Sequence, residues 1–407
     1  MSNNAEMSAS AETQWKLAFL LAAIAAIGPL SIDMYLPSLP TLVRALHASA
    51  QNGQTSVSIF FVGVSLGQFV YGPASDRFGR RSLLLLGACV FTAASIVCAA
   101  SSSISILIGA RLAQSLGACA CMVISRAVVR DHFSHQESAR FFSMLALISG
   151  AAPVLAPLLG SLLMSFAGWR GIFVTLAIFG TVVGLGVLLG LPESRSQATL
   201  ERARGEHPLQ SYLTLLSERR LVGYLLATAF NSSAMFTYIA NSPSVLIGHF
   251  GVSPLQFGLL FALNGVGLVG SSQINRHLLK RYSADGVLRA VSTAGVVICV
   301  FCALIALTGL GGLWGVSLAL FAVTSCVGSF QGPGMAGALS VDPLRAGSTS
   351  ALIGGASFGV GAIAGSIAGA FGAGKPTVFL LVIGACFMLS AAATWFIALP
   401  HSRGSAT

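Results

Sequence analysis

Apolar runs of about 20 residues, the length a spanning helix needs, alternate with short polar connections along this chain. They predict spans at 17–37, 54–73, 82–101, 104–129, 140–164, 171–191, 221–242, 254–278, 287–308, 313–338, 347–370 and 376–399. The longest polar connection, Pro192 to Arg220, divides these twelve into six and six, and such halves suggest duplicated repeats. The expected fold is an all-α membrane protein with two six-helix halves. Its expected order is a tail over 1–16, a first bundle over 17–191, a linker over 192–220, a second bundle over 221–399 and a tail over 400–407. The linker carries mixed charge, with an amphipathic turn around Leu209–Leu216.

Composition agrees. The 407 residues are 55% hydrophobic and only 8% charged, against about 25% charged in soluble domains. The 46 glycines suit helices packed closely in lipid. The net charge of +10 would suggest nucleic acid in a soluble protein. Here it follows from sidedness, and no nucleic-acid partner is expected. With the N-terminus in the cytoplasm, 18 of the 22 Lys and Arg lie on the inner side. Only Arg44, Arg170 and Lys375 lie outside, and Arg111 is inside a span. This bias places both termini in the cytoplasm. Trp15, Trp169, Trp314 and Trp395 fall near span ends, as interface anchors do. The eight cysteines sit in apolar runs and read as reduced packing residues. The first 15 residues are polar without a basic leader, so the first run reads as a retained span.

Eleven of the 12 acidic residues fall in tails or connections. Asp33 lies inside the first span, about 25 Å along its axis from Lys16 at helical rise. An ionisable group in a bilayer is costly and points to function. Burial favours the neutral acid, and water or a nearby cation favours the anion. A lone carboxyl there suits taking up a proton on one side and releasing it on the other. Arg111 in the fourth span lies at similar depth, with Gln114 and Ser115 on its face. A guanidinium in the membrane needs a partner, and Asp33 is the carboxyl expected to approach it in at least one state.

Two further patterns read as gating. Gly72-Pro-Ala-Ser-Asp76-Arg77-Phe-Gly79-Arg80-Arg81 is too charged for a casual turn. Asp76 suits the positive end of a neighbouring helix, and Arg77, Arg80 and Arg81 suit lipid phosphates or an acidic partner. The fifth span places Gly150, Pro153, Pro157 and Gly160 on one stripe, a hinge or contact signal. Its counterpart in span eleven is Gly355, Phe358, Ala362, Ser366 and Gly369. Candidate cavity-lining side chains are Gln68, Tyr71, Gln114, Asn231, Tyr238, Asn241, Asn264, Gln273 and Gln331. Met34, Tyr35, Met235 and Phe236 offer an adaptable apolar surface. No nucleotide-binding glycine run, metal-ligand spacing or paired cysteine motif occurs, so no cofactor and no metal are expected. Energy must come from an ion gradient.

These residues carry a resemblance. Gly67-Gln-Phe-Val-Tyr-Gly-Pro-Ala-Ser-Asp-Arg-Phe-Gly-Arg-Arg81 resembles the signature loop of the major facilitator superfamily. Arg111-Leu-Ala-Gln-Ser-Leu-Gly-Ala118 and Ala151-Ala-Pro-Val-Leu-Ala-Pro-Leu-Leu-Gly160 resemble its fourth- and fifth-span motifs. Asp33-Met-Tyr-Leu-Pro37 is similar to the bicyclomycin- and chloramphenicol-resistance branch of drug:proton antiporters. Gly168-Trp-Arg-Gly-Ile-Phe173 and Leu191-Pro-Glu-Ser194 resemble further family segments. The resemblance covers almost the whole chain. It implies alternating access, export of small amphiphilic compounds in exchange for protons, and a place in the bacterial inner membrane. It assigns proton coupling to Asp33, support to Arg111 and gating to Asp76 and Arg77. Some related exporters carry a second acid in the first span, which is missing here, so two-acid transport of divalent cations is not expected. Expected partners are protons, a small-molecule drug or metabolite and membrane lipids, with a monomeric chain. Two other readings stand beside export: a proton-coupled metabolite importer, and a membrane sensor without net transport. Uptake in deletion cells separates the first from export, and substrate-dependent proton flux separates the second.

Overall fold

A computed structural model describes residues 2–132, 135–197, 199–201, 208–372 and 374–399, leaving aside the side chains of 2–16, 135–150, 208 and 344. All regular elements among the described residues are helices. The first half contains α1 (Ser2–Asp33), a single turn at Leu36–Ser38, α2 (Leu39–Ala45), α3 (Ala50–Phe78), α4 (Arg80–Ala100), α5 (Ile104–His132) and α6 (His135–Gly190). The linker holds α7 (Pro208–Ser217). The second half contains α8 (Arg219–Ser242) with a wide turn at Pro243–His249, then α9 (Pro254–Leu278), α10 (Ala284–Thr308), α11 (Gly312–Val341), α12 (Ala346–Gly372) and α13 (Pro376–Ala393).

Among the described residues, ten stretches are long and apolar enough to cross a membrane. One of them, Ala151–Gly190, is 40 residues long and holds two spans, because α6 turns at Gly168 with φ of 64°. A left-handed residue favours glycine, and here it joins spans five and six without a loop. The remaining span is α8. Its apolar character is diluted by Asn231, Ser232, Ser233, Asn241 and Ser242, all buried. Twelve spans result, as the hydrophobic pattern predicts.

Local chemistry sets the ends. Ser49 caps α3 through the N–H of Asn52, and Ser253 with Gln256 forms a reciprocal capping box at α9. The first span breaks before Pro37. Pro37 has no N–H to offer the Asp33 carbonyl, and Pro40 none for Leu36, so α1 stops at Asp33. The linker turn expected near Leu209–Leu216 is a full helix, with Leu215 and Tyr212 packed inward and Leu209, Leu213 and Leu216 exposed.

Glycines let the helices meet. A Cβ on Gly117 would strike the backbone of Gly87 and Phe91, which fixes α5 against α4. The two halves touch along two seams. In the first, α3 meets α12: Ser65 Oγ donates to the Gly355 carbonyl at 2.7 Å, Gln68 lies against Gly354, and Gln54 lies against Gly369. In the second, α6 meets α9: Ser161 Oγ donates to the Pro254 carbonyl at 2.9 Å, and Gly265 packs on Pro153 and Val154. One apolar core runs through both halves, from Leu21 to Phe387. A smaller one lies beneath α7.

Candidate functional site

Asp33 ends α1 between the two halves. It is 4% exposed, and its Oδ1 has no hydrogen-bond partner among the described residues. A buried polar atom without a partner costs free energy, so this oxygen carries an unmet hydrogen bond. Across the seam, Tyr238 of α8 lies within electrostatic reach of the Asp33 carboxyl. Asn264 of α9 donates its Nδ2–H to Tyr238 Oη at 2.9 Å, which leaves the phenol proton free to point elsewhere. The Tyr238 ring stacks on Phe261 with centroids 5.0 Å apart.

Arg111 is fully buried but turns away from Asp33. Its Nη1 donates to the Ser31 carbonyl at 3.0 Å and to Gln114 Oε1 at 2.7 Å, and its Nε donates to the Ser56 carbonyl at 3.4 Å. Its guanidinium carbon sits 4.4 Å from the ring centres of both Tyr35 and Phe60. Cation–π contacts gain strength where water is excluded. Asp33 and Arg111, expected close in at least one state, make no ion pair in this one. The break after Asp33 explains it: Tyr35 takes the face toward α5, while Asp33 faces the second half.

The expected substrate contacts divide. Tyr35 and Gln114 are fully buried and already engaged: Tyr35 Oη shares a 2.6 Å hydrogen bond with Ser56, and Gln114 Nε2 donates to Ser95 Oγ at 2.8 Å. They serve Arg111 here. Met34 is buried, with its carbonyl against Gly160 of α6. Asn231 is buried with Oδ1 unpartnered. Met235 and Phe236 are half-buried, and Phe236 stacks on Phe358 at 4.5 Å and meets Phe61 at 4.8 Å. Gln68 lies in the α3–α12 seam. Gln331 is exposed in α11, apart from this group.

The charged loop forms a compact network at the linker end. Arg80 is buried and pairs with Asp76 at 2.5 Å and with Asp131 of α5 at 3.0 Å. Gly79, at φ 99°, turns the chain between α3 and α4. A Cβ on Gly72 would meet nothing within 4 Å. Arg195 Nη1 donates to the Arg77 carbonyl at 2.5 Å. The helix end in this loop, the start of α4, is met by Glu193. Its Oε1 accepts the N–H of Arg80 at 2.8 Å, and its Oε2 accepts that of Arg81 at 3.2 Å. Burial works against the charged Glu193. The N–H groups of Arg195, Arg80 and Arg81 and the charge of Arg195 outweigh it, holding this carboxyl below the usual carboxylate range. Asp131 and Arg195 were not singled out from sequence. Glu193 appeared there only within the Leu191–Ser194 resemblance. Pro153 and Pro157 are buried in α6 at the α9 contact, and Gly150 lies outside the residues whose surroundings are described. Among the described residues no cluster of His, Cys, Asp or Glu could hold a metal ion.

A break in span one, an arginine box and a charged turn on a twelve-span frame match a known family: the model of the Major Facilitator Superfamily fits residues 21–366. The chain belongs to the Major Facilitator Superfamily. Among relatives, an uncharacterized MFS-type transporter of Bacillus subtilis, YdgK, is 36% identical over 341 residues, covering 83% of this chain and 84% of that protein. A bicyclomycin resistance protein homolog of Haemophilus influenzae is 28% identical over 377 residues, covering 93% of this chain and 94% of that one. A solved D-xylose-proton symporter superposes with a TM-score of 0.73 at 15% identity, covering 93% of this chain and 97% of that one. At that identity it shows the fold alone. The resemblance read from the sequence stands. This Major Facilitator chain is a multi-pass member of a transporter family rather than an enzyme.

Proposed function

We propose that this protein exports small amphiphilic compounds, of the kind named by its bicyclomycin-resistance relative, in exchange for protons. The observation that carries the reading is the Asp33 carboxyl, buried between the halves with one oxygen unpartnered. A carboxyl so placed changes protonation when the water reaching it changes. Arg111 supports the adjoining backbone, at Ser31 and Ser56, from within the first half. Asn231, Met235, Tyr238 and Asn264 face the same region from the second half, with Met34 and Gln68 at its edge, and form the substrate surface with Asp33. Gln331 meets substrate nearer the linker end.

The proposed units are the bundles 17–191 and 221–399, joined by the linker 192–220, with both termini in the cytoplasm of a bacterial inner membrane. The halves rock about the α3–α12 and α6–α9 seams. Gly72, Asp76, Arg77, Gly79 and Arg80 act at the cytoplasmic gate, and Gly150, Pro153 and Pro157 act as the hinge of α6. Closure at the end opposite the linker supports this cycle, because Ser161 bonds across it to Pro254 while Arg126, Arg130 and Gln331 stay exposed at the linker end. Substrate enters from the linker end, the carrier turns, substrate leaves, and an external proton neutralises Asp33 for the return.

The test is Asp33→Asn in proteoliposomes with an imposed pH gradient and bicyclomycin as probe. Wild type accumulates the probe uphill and the variant only equilibrates it. Uphill accumulation by the variant removes Asp33 from coupling.

A further inference from the structure

The end of the bundle opposite the linker holds a cavity of about 470 Å³ with walls from both halves. Leu39, Val43 and Arg44 line it from α2, and Ile247, Gly248 and His249 from the turn after α8. Lys375 follows Gly374, which lines the same space. The connections at this end contain no Asp or Glu, whereas they carry Arg44, His47, Arg170, His249 and Lys375. Among the described residues, Arg44 makes one side-chain hydrogen bond, a 3.4 Å contact to Thr41 one turn back, and no ion pair. A cationic group with no counter-charge beside an apolar wall is complementary to one kind of molecule: a negative head on a short apolar tail.

We infer that this cavity is a second binding site, for a small amphiphilic anion, separate from the Asp33 region. The head meets Arg44, with His249 and Lys375 nearby, and the tail lies along Leu39, Val43 and Ile247. Because the walls belong to different halves, the occupant bridges them. It binds the arrangement in which this end is closed, and by linkage it holds that arrangement. The site is thus a clamp worked from the outer face.

The test is calorimetry on the purified full-length protein with octanoate, octylammonium and acetate. Octanoate is expected to bind saturably, one per chain. Octylammonium has the tail with the wrong charge and acetate the charge without the tail, and neither binds in the same range. Arg44→Gln weakens octanoate by about tenfold or more, the size of one lost charge-assisted contact. Gly248→Leu abolishes it by filling the space. A Cβ at Gly248 meets nothing within 4 Å, so the first carbon of the new side chain enters without a clash, and an unchanged melting temperature checks the fold. Equal binding of octylammonium, or full octanoate affinity in Gly248→Leu, overturns the site. External octanoate should also slow exchange by wild-type proteoliposomes and leave Gly248→Leu unaffected. The calorimetry needs no transport, so its failure counts against this cavity alone and leaves the Asp33 test untouched.

Discussion

Glu193 closes the start of α4: its carboxylate oxygens accept the backbone N–H groups of Arg80 at 2.8 Å and Arg81 at 3.2 Å. The first N–H groups of a helix have no partner within it and carry the positive end of its dipole. A carboxylate answers both. Glycine is favoured at 79 by its φ of 99°, and a Cβ there would also lie 2.5 Å from Glu193 Oε2.

Glu193→Ala should therefore cost about 1 kcal/mol, as lost caps do, with solvent exposure keeping it from costing more. The pH dependence has a definite sign. The folded-state carboxyl titrates below its unfolded value. Its stabilisation is then full at neutral pH and fades as pH falls through that lowered value. The gap in melting temperature between wild type and Glu193→Gln should narrow in acid. A gap that stays constant would mean that the charge contributes nothing.

Gly160 and Met34 make a second relationship that substitution can probe. A Cβ at Gly160 would overlap the Met34 carbonyl, which is backbone and cannot swing aside as a flexible side chain could. Gly160→Ala should lose stability toward the upper part of the ~1–3 kcal/mol range for overpacking. Gly270→Ala is the control, since nothing lies within 4 Å of its Cβ. There alanine should be neutral or favourable by up to about 1 kcal/mol. Thermal melts in detergent compare the two, and equal melting temperatures would show that α6 can move off the break in span one.

Sequence alone carried the frame well for a physical reason. A span must be continuous and apolar, so eleven spans announce themselves, and even the polar α8 is long enough to be counted. Asp33 and Arg111 stood out because charge in a span is rare. What stayed hidden were pairings across the fold. Glu193 reaches Arg80 over 113 residues, and no local pattern marks it as a cap. Asn264 finds Tyr238 on another helix. The approach of Asp33 to Arg111 in at least one state was inferred from shared depth and from the need of a membrane guanidinium for a partner. Depth says nothing of azimuth, and in this conformation the break after Asp33 turns the two apart.

Tyr238 and Asn264 should behave as a unit. Both are buried and joined at 2.9 Å. Tyr238→Phe leaves the Asn264 amide without its acceptor, and Asn264→Ala leaves the phenol oxygen without its donor. Each should cost about 1–3 kcal/mol. The double variant should cost less than their sum, with a coupling of roughly 0.5–3 kcal/mol. Additive melts would show that the contact is not maintained in the folded protein.

Arg111 offers the sharpest separation of charge from shape. Its guanidinium serves two backbone carbonyls and one amide while lying against two rings. A lysine ammonium is a compact point charge on a flexible stem and cannot reproduce that planar fork. Arg111→Lys should keep the charge, release Ser31 or Ser56, and loosen the backbone just before Asp33. Proton-driven transport should then fall by about tenfold or more, equal to about 1.4 kcal/mol or more of barrier. Equilibrium binding of the same substrate without a gradient should change less. Arg111→Ala removes charge and shape together and should lose stability as well. If Arg111→Lys transports at the wild-type rate, positive charge suffices at this position, and the fork around Ser31, Ser56 and Gln114 has no part in coupling.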